Sequence, residues 1–343
     1  MLGFIQRLFK KSRVELYGLD HAVLNIQLPP QTMWMNMGYW ESTTHFPDAC
    51  RALLDRVLST ADILKDQDRN QSIRVLDVGC GCGDQSLHLT SLRRGVLTQN
   101  QSETAEASGF QDSSDAAPSL RSQKSSSLIN SYIGITLEPS QAALAKSRVQ
   151  EKRAPENALA DSSVDIFCAD AANPSSWSGD LQNSIEKLAA SSTTPESATW
   201  LLALDTIYHF RPSRLPLLQF ACHNLNASYM AFDLVLADNI SWFQRFILQI
   251  ICWFLGAPFG NIITKDEYMR LLVRAGYEPE QIEMQDISQH VFGGLAAFLG
   301  RRVQEATPFG LKMGKYRGAR KVFDWWARTG IMRGYVVVAR KSR

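Results

Sequence analysis

The sequence predicts an α/β fold: a doubly wound, mostly parallel sheet of seven strands with helical cap additions. Two observations support this prediction. Short apolar segments rich in β-branched residues alternate with helical segments along most of the chain, as in parallel strands joined by crossover helices. In addition, a turn containing Gly79, Gly81 and Gly83 directly follows the first of these strands, and open α/β sheets bind ligands at that edge.

The composition sets limits on size, compartment and partners. The chain has 343 residues, 45% of them hydrophobic, and a formal net charge of +2. This length suits one large domain with additions or two small ones, and the balanced charge gives no reason to expect nucleic acid. No obligate protein partner is evident. The six cysteines show no secreted disulfide framework, which favours a cytoplasmic protein. Cys80 and Cys82 lack further soft ligands at a usual spacing, so no metal is expected.

Four parts are predicted along the chain. They are an N-terminal helical cap at residues 1–70, a core at 71–288, a cap insertion at 289–331 and a final core strand at 332–343. Residues 98–127 are rich in Ser, Gln, Ala and Asp and are predicted to be a disordered surface insertion. Near the N-terminus, Leu2, Ile5, Leu8 and Phe9 share one helical face, apart from Arg7, Lys10 and Lys11. That helix could rest on a membrane surface or cover the core.

The elements of the core follow from the apolar periodicity. The strands are predicted at residues 73–78, 132–137, 164–169, 199–203, 229–236, 281–287 and 334–340. Helices are predicted at about 47–64, 85–92, 140–150 and from 265, the last with Gly276 as its C-cap. Residues 240–256 are very apolar, but Gln244, Arg245 and Gln249 argue against a transmembrane span. Two final strands without an ordinary crossover helix predict an antiparallel hairpin, interrupted by residues 289–331.

The glycine turn carries the most specific motif. Its spacing is G-x-G-x-G over Gly79, Cys80, Gly81 and Gly83, with Asp77 two residues before it, whereas dinucleotide-binding turns are G-x-G-x-x-G. The pattern resembles motif I of the class I S-adenosylmethionine-dependent methyltransferases. The resemblance implies a Rossmann-like fold and S-adenosyl-L-methionine as cofactor, its methionine end held by the turn backbone and the acid. Alternatively, Asp77 orients the turn through hydrogen bonds.

Residues 132–141 resemble motif II of that family, in a form similar to the tocopherol and cyclopropane-fatty-acid enzymes. Many members have an acid at the strand end, where this chain has Thr136. In the similar subgroup the ribose is served by the backbone and the glutamine that match Leu137 and Gln141. Glu138 is displaced by two residues, and it also suits the first turn of a helix.

Further matches to the family lie elsewhere in the chain. Asp170 and Ala171 match the motif that binds adenine, although Asp170 could simply cap a helix. Tyr39 and Trp40 resemble an element that folds over the cofactor, where aromatic faces attract a sulfonium; ordinary core packing is the alternative. Asp205, after the fourth strand, completes the predicted cofactor-binding set.

His209 is the candidate catalytic base, because the family's layout places it at the methyl end of the cofactor. A base is needed only if the acceptor atom carries a proton, and a histidine here could instead only shape the pocket. Asp286 and His290 are weaker candidates. Positioning and exclusion of water can supply most of the rate of such a transfer.

The acceptor is expected to be a small hydrophobic molecule, held by residues 1–30, 240–263 and 289–331. These parts are rich in aromatic residues, which could equally be core: Trp242, Phe243, Phe246, Trp253, Phe254, Phe292, Phe298, Trp325 and Trp326. The insertion also contains cations that form either a solvated face or a membrane-docking face: Arg301, Arg302, Lys312, Lys315, Arg317, Arg320 and Lys321. Two alternatives stay open, a methyltransferase for a membrane lipid or quinone and a non-catalytic S-adenosylmethionine-binding regulatory protein.

Overall fold

The protein is described here by a computed structural model covering residues 30–64, 72–94, 126–152, 163–190, 197–255 and 258–341, without the side chains of 253–255. The predicted N-terminal amphipathic helix and nearly all of the predicted insertion at 98–127 lie outside the described residues. The described chain forms a sheet with the strand order β3-β2-β1-β4-β5-β7-β6. The strands are β1 (Ser72–Val78), β2 (Ile129–Thr136), β3 (Ser163–Cys168), β4 (Ser197–Leu204), β5 (Ser228–Leu236), β6 (Ile282–Asp286) and β7 (Met332–Ala339).

The pairing of these strands confirms the predicted fold class. Strands β1 to β5 pair in parallel, whereas β7 is antiparallel to both of its neighbours, β5 and β6. The predicted antiparallel final hairpin is therefore present. It is interrupted at the expected place, and the interrupting residues form two helices, which were not predicted. Since all the strands predicted from apolar periodicity form, the local pattern was sufficient to place them.

Helices cover both faces of the sheet. In chain order they are α1 (Phe46–Thr60), α2 (Asp84–Ser91), α3 (Pro139–Lys152), α4 (Gly179–Ala190), α5 (Leu215–His223), α6 (Trp242–Leu255), α7 (Lys265–Ala275), α8 (Phe292–Ala306) and α9 (Gly314–Thr329). One apolar core contains Leu53 of α1, Leu248 of α6 and Leu299 of α8, and the other contains Leu181 of α4 and Leu272 of α7. This arrangement is the doubly wound α/β architecture.

The N-terminal lead-in differs from its prediction. Residues 30–45 are not helical, and α1 ends at Thr60 instead of continuing to residue 64. The early end has a local cause, because Asp62 adopts a left-handed φ of 62° and the chain turns there. The non-helical segment runs across the edge of the sheet where the glycine turn lies.

Two helices, α6 and α7, follow β5. No helix among the described residues is long and apolar enough to cross a membrane, and α6 is only 14 residues long. Helix α7 begins at a capping box, in which Thr264 and Glu267 bond each other's backbone N–H groups. It ends at Gly276, whose φ of 105° is the left-handed conformation expected of a glycine C-cap.

Candidate functional site

A cavity of about 340 Å³ opens at the carboxyl ends of β1, β2 and β4. Three turns form most of its wall, one after each of these strands, and an irregular segment at residues 33–36 forms the remainder. The lining residues are Met33, Trp34, Met35, Asn36, Gly79, Cys80, Gly81, Cys82, Asp84, Gln85, Thr136, Leu137, Glu138, Gln141, Leu204, Asp205, Thr206, Tyr208 and His209.

The glycine turn after β1 requires its glycines for two different reasons. Gly79, Gly81 and Gly83 all have positive φ angles, of 84°, 57° and 88°. A Cβ on Gly79 would lie 2.5 Å from Thr206 Oγ1, so this glycine allows the β1 and β4 loops to pack together. A Cβ on Gly81 would meet only Met35 Cε, at 3.6 Å, so this position faces the cavity. The turn therefore leaves exposed backbone where a ligand can approach closely.

Asp77 lies beneath this turn and is fully buried. Gln85 Nε2 lies 2.7 Å from each of its carboxylate oxygens, and Tyr132 OH donates to Oδ2 at 2.5 Å. Burial raises the pKa of Asp77 to about 6, against the lowering effect of these two donors. The carboxylate does not line the cavity, but it orients Gln85, which does. This geometry agrees with the structural alternative for Asp77, while direct contact with a ligand stays a prediction.

Polar and apolar groups alternate at the end of β2. Thr136 Oγ1 donates to Gln141 Oε1 at 2.9 Å, which holds the glutamine at the cavity wall. Gln141 Nε2 in turn lies 3.8 Å from Met35 Sδ on the opposite wall. Between these groups, Leu137 is 70% exposed, and Glu138 also lines the cavity. Both residues that the resemblance assigned to the ribose therefore lie at the site.

The segment at residues 33–37 is fastened over the glycine turn by carboxylates. Met33 N–H donates to Asp84 Oδ2 at 3.0 Å, and Asp84 forms a salt bridge of 2.7 Å with Arg148. Farther along, Met37 N–H donates to Asp205 Oδ2 at 2.8 Å. This wall of the site was not predicted from the sequence. The one available signal was Asp84, an acid directly after the last glycine of the turn.

The loop after β4 supplies the titratable groups of the cavity. Asp205 has a left-handed φ of 58° and accepts a hydrogen bond of 2.9 Å from Tyr208 OH. Burial raises the pKa of Asp205 to about 7, partly offset by the bonds from Tyr208 and Met37. His209 is adjacent, with its ring 4.3 Å from the ring of Tyr208. The His209 side chain is exposed at the cavity wall. Partial desolvation of its ring, and then the charge of the nearby Arg211, lower its pKa below the ordinary value. The imidazole is therefore mainly neutral at pH 7.

A buried polar network supports this loop from below. Asn261 Nδ2 donates to the backbone carbonyls of Tyr208, at 3.2 Å, and Phe210, at 2.5 Å. The Asn261 carbonyl accepts from Arg214, which is fully buried and paired with Asp233. The loop that carries His209 is thus fixed to β5 and to the start of α5.

Comparison with known proteins identifies the fold. The sequence matches no protein-family model and no curated protein significantly. Solved structures do match over nearly the whole chain. The mycolic acid cyclopropane synthase CmaA1, complexed with SAH and CTAB, aligns with a TM-score of 0.58 at 13% identity, covering 94% of this chain and 95% of that one.

Two further solved structures align in the same way. The cyclopropane synthase MmaA2 from Mycobacterium tuberculosis gives a TM-score of 0.53 at 14% identity, covering 89% of this chain and 90% of the other. The (4+2)-cyclase SpnF gives 0.52 at 17% identity, with 95% and 94% covered. The chain has the class I S-adenosylmethionine-dependent methyltransferase fold. Because SpnF shares the fold and is a cyclase, the methyltransferase fold alone does not decide the reaction.

Several predicted site residues lie outside the cavity of this methyltransferase fold. Trp40 packs against Phe46 and Phe298, with ring centroids 6.2 and 5.4 Å away, and its Nε1 donates to Met37 O. Tyr39 lies beside His290, with the ring centroids 5.0 Å apart. These contacts agree with the packing alternative for the Gly-Tyr-Trp element, and a role for Tyr39 and Trp40 toward the cofactor stays a prediction.

The adenine motif and the glycine turn contribute three more residues that do not line the cavity. Asp170 Oδ1 accepts from Ala172 N–H at 2.9 Å and so closes its own turn after β3, in which Ala171 is buried. Gly83 packs on α3, since a Cβ there would lie 3.0 Å from the Cβ of Ala145. For Asp170 and Ala171, contact with adenine therefore stays a prediction.

The weaker candidates for chemistry lie beyond the cavity wall. Asp286 forms a salt bridge of 3.0 Å with Arg333, and His290 lies 3.8 Å from Glu41. His209 is thus the histidine that lines the cavity among the described residues. Within the same described part of the chain, no three His, Cys, Asp or Glu side chains are grouped as a metal site would require.

Proposed function

We propose that this protein is an S-adenosylmethionine-dependent methyltransferase that acts on a small hydrophobic acceptor. The observation that carries the proposal is the arrangement of the cavity. The glycine turn lies at its floor, Gln141 and Glu138 lie on one wall, and Tyr208 and His209 lie on another. One cavity thus combines a glycine backbone that a ligand can approach closely, polar side chains suited to ribose hydroxyls, and a neutral imidazole.

The residues present fit the cofactor. Gly81 offers a backbone cradle that a side chain would fill, and the dinucleotide spacing is absent. Gln85 and the glycine turn would hold the amino-acid end, and Gln141 with Glu138 would hold the ribose. The exposed side chains of Leu137 and Met35 would flank the base. When bound, S-adenosylmethionine supplies a methyl group activated on a sulfonium, so the protein need not stabilise a charged leaving group.

His209 would then remove a proton from the acceptor. Its lowered pKa leaves the imidazole neutral at pH 7, which is the form that can accept a proton from a hydroxyl or amine. Asn261 holds the backbone on either side of His209, at Tyr208 and Phe210. The loop geometry therefore does not depend on the acceptor, and preorganisation of this kind favours reaction.

The surroundings of the His209 loop support an apolar acceptor. Trp34, Met35 and Leu204 contribute apolar surface to the cavity. Helix α6 also contacts the segment that holds this loop. The Arg245 guanidinium of α6 lies 5.4 Å from the ring centroid of Phe259, and Phe259 is two residues before Asn261, which bonds the loop backbone. On its outer face α6 exposes a row of large apolar side chains: Trp242, Phe243, Phe246 and Ile250. This row favours, as second candidate, an acceptor dissolved in a membrane, such as a lipid or quinone.

The test separates cofactor binding from turnover. We expect calorimetry to show binding of S-adenosylhomocysteine and none of NAD, and a methyl-label assay on acceptors fractionated by polarity to label an apolar fraction. His209→Gln should keep the affinity for S-adenosylhomocysteine and lower kcat by about 100-fold. Binding of NAD alone would exclude the proposal. Cofactor binding without label transfer to any fraction would favour the regulatory or cyclase alternatives.

A further inference from the structure

The hairpin of α8 and α9 ends in a surface that carries positive charge alone. We define the hairpin surface as residues 307–321, the turn between the two helices and the first turns of α9. It contains five cations and, from residue 306 to residue 323, no Asp or Glu. The cations are Lys312, Lys315, Arg317, Arg320 and Lys321. The whole chain has a net charge of only +2, so this concentration of charge is local.

The charges of the hairpin surface are available to a partner. All five cations belong to exposed residues. Within the described part of the chain, none of them forms a salt bridge; the ion pairs of Arg302 with Glu305 and of Arg328 with Asp324 lie on either side of the segment. The carboxylates of the two helices are therefore occupied away from the tip, and the field of the tip is not neutralised.

Large apolar side chains are exposed among these cations. Phe309 is 39% exposed, Leu311 43% and Tyr316 38%. The Lys315 ammonium lies 4.9 Å from the ring centroid of Tyr316, so cation and ring share one patch. A merely solvated basic face has no need of exposed Phe and Leu, whereas apolar residues interleaved with Lys and Arg are typical of surfaces that enter the headgroup region of a bilayer.

The base of the hairpin is packed into the apolar core, so the tip is held in place as a preformed surface. Phe292 and Leu299 of α8 and Trp326 of α9 are buried in the core. The rings of Phe292 and Trp326 form an edge-on contact with centroids 5.5 Å apart. At the tip, Arg317 Nη2 donates to Thr307 Oγ1 at 3.3 Å, which ties the start of α9 to the turn. Docking would therefore require little ordering of the chain.

We propose that the hairpin surface docks on an anionic lipid bilayer, with its cations at the headgroups and Phe309, Leu311 and Tyr316 inserted between them. Charge complementarity selects the partner, and the aliphatic Leu311 favours a bilayer over nucleic acid, since a leucine cannot stack on bases. The proposed contact is peripheral, because it involves only exposed side chains at the tip of the hairpin. The proposal goes beyond methyl transfer and does not depend on it.

The experiment is sedimentation of the full chain with phosphatidylcholine vesicles, either pure or with about 30% phosphatidylserine. The test variant is Lys312→Gln, Lys315→Gln, Lys321→Gln, and its matched control removes three exposed cations elsewhere: Lys146→Gln, Lys152→Gln, Arg270→Gln. Each cation near the surface strengthens partitioning about fivefold, so the test variant should bind anionic vesicles about 100-fold more weakly and the control nearly as wild type. Any contribution of residues 1–29 to vesicle binding is the same in all variants. The difference in affinity between test and control variants therefore measures the contribution of the hairpin surface.

A second variant examines the apolar part. Phe309→Ala with Leu311→Ala should weaken binding to anionic vesicles at all salt concentrations, because these residues act by burial and not by charge. Equal binding to neutral and anionic vesicles would overturn the proposal, as would a test variant that binds within about threefold of its control. Tighter binding to a single-stranded oligonucleotide than to vesicles, unaffected by the Phe309 and Leu311 substitutions, would assign the surface to nucleic acid and also overturn it.

Discussion

The backbone N–H of Met37 donates a hydrogen bond of 2.8 Å to Asp205 Oδ2, across 168 residues of sequence. The other carboxylate oxygen accepts from Tyr208 OH at 2.9 Å. One half-buried side chain therefore joins the segment at residues 33–37 to the loop that carries His209. The ionisation of Asp205 acts on both walls of the cavity at once.

Asp205 should make stability depend on pH. Its pKa is raised from the ordinary 3.8 to about 7, so the folded state binds the proton more tightly than the unfolded chain. Its contribution to stability is therefore fully present below about pH 4 and is lost as the pH rises through 7. In urea titrations from pH 4 to 7, we expect the free energy of unfolding of Asp205→Asn to fall less steeply than that of the wild type. A slope also remains in the variant, because the pKa of Asp77 is raised to about 6. Identical slopes would contradict the assignment.

Two neighbouring glycines should respond differently to the same substitution. Gly79→Ala places a Cβ 2.5 Å from Thr206 Oγ1, so we expect a loss of about 2–4 kcal/mol of unfolding free energy. Gly81→Ala meets no atom closer than 3.6 Å and should cost only about 1 kcal/mol, from its positive φ. Its main effect should be a loss of at least about 10-fold in affinity for S-adenosylhomocysteine, since its Cβ points into the cavity. Thermal unfolding and calorimetry on both variants distinguish the roles; a Gly81→Ala protein with wild-type affinity would remove this glycine from the site.

Asp77 should matter to stability as well as to binding. In Asp77→Asn, the new amide group faces the Gln85 and Tyr132 donors, and a buried donor is left without an acceptor. We expect a loss of about 1–3 kcal/mol in unfolding free energy together with weaker cofactor binding, because Gln85 is no longer oriented. Gln141→Ala is the matched comparison. It should weaken cofactor binding while changing stability by no more than about 0.5 kcal/mol. Equal stability of the two variants would show that Asp77 does not order the turn.

Removing only one partner of the buried ion pair between Arg214 and Asp233 should lower the free energy of unfolding strongly. Arg214→Met leaves the Asp233 carboxylate buried with Tyr268 OH, 2.8 Å away, as a remaining donor. We expect about 3–5 kcal/mol of destabilisation in urea titrations. Addition of Asp233→Asn should restore part of that loss by removing the uncompensated charge. If the double variant is less stable than Arg214→Met, the cost comes from packing around the guanidinium instead.

The strands and the glycine turn could be predicted because their signals are local. An apolar strand such as β1, or a glycine C-cap such as Gly276, is encoded by residues within a few positions of it. The predicted positions of these features agree with the structure to within a few residues. The segment at residues 33–36 could not be predicted in this way. Its path depends on two distant carboxylates. Asp84 accepts a hydrogen bond from Met33, 51 residues away, and Asp205 accepts one from Met37, 168 residues away.

The orientation of aromatic side chains could not be predicted from the sequence either. The sequence of Tyr39 and Trp40 suits both a cofactor cover and a packing cluster, because an aromatic ring is apolar in either setting. The choice depends on Gly294 in α8, since a Cβ there would lie 2.2 Å from Trp40 Cβ. A contact between residues so distant along the chain leaves no periodic signal around Trp40 itself. Helices α4 and α5 were not predicted for a related reason, as their short patterns are flanked by polar loops. Helices α6, α8 and α9 were not predicted as helices either, because their residues were assigned only to an apolar stretch and to the cap insertion.

The position of β7 between β5 and β6 has a consequence for synthesis of the chain. Strand β6 has no partner other than β7, and residues 287–331 must be made before β7 follows. During that interval β5 presents an unpaired apolar edge, and β6 has no place in the sheet. Pairings between distant segments form slowly and leave such edges open to aggregation. A nascent chain stalled within α8 or α9 should therefore be a strong client for chaperones, while one released after β7 should not.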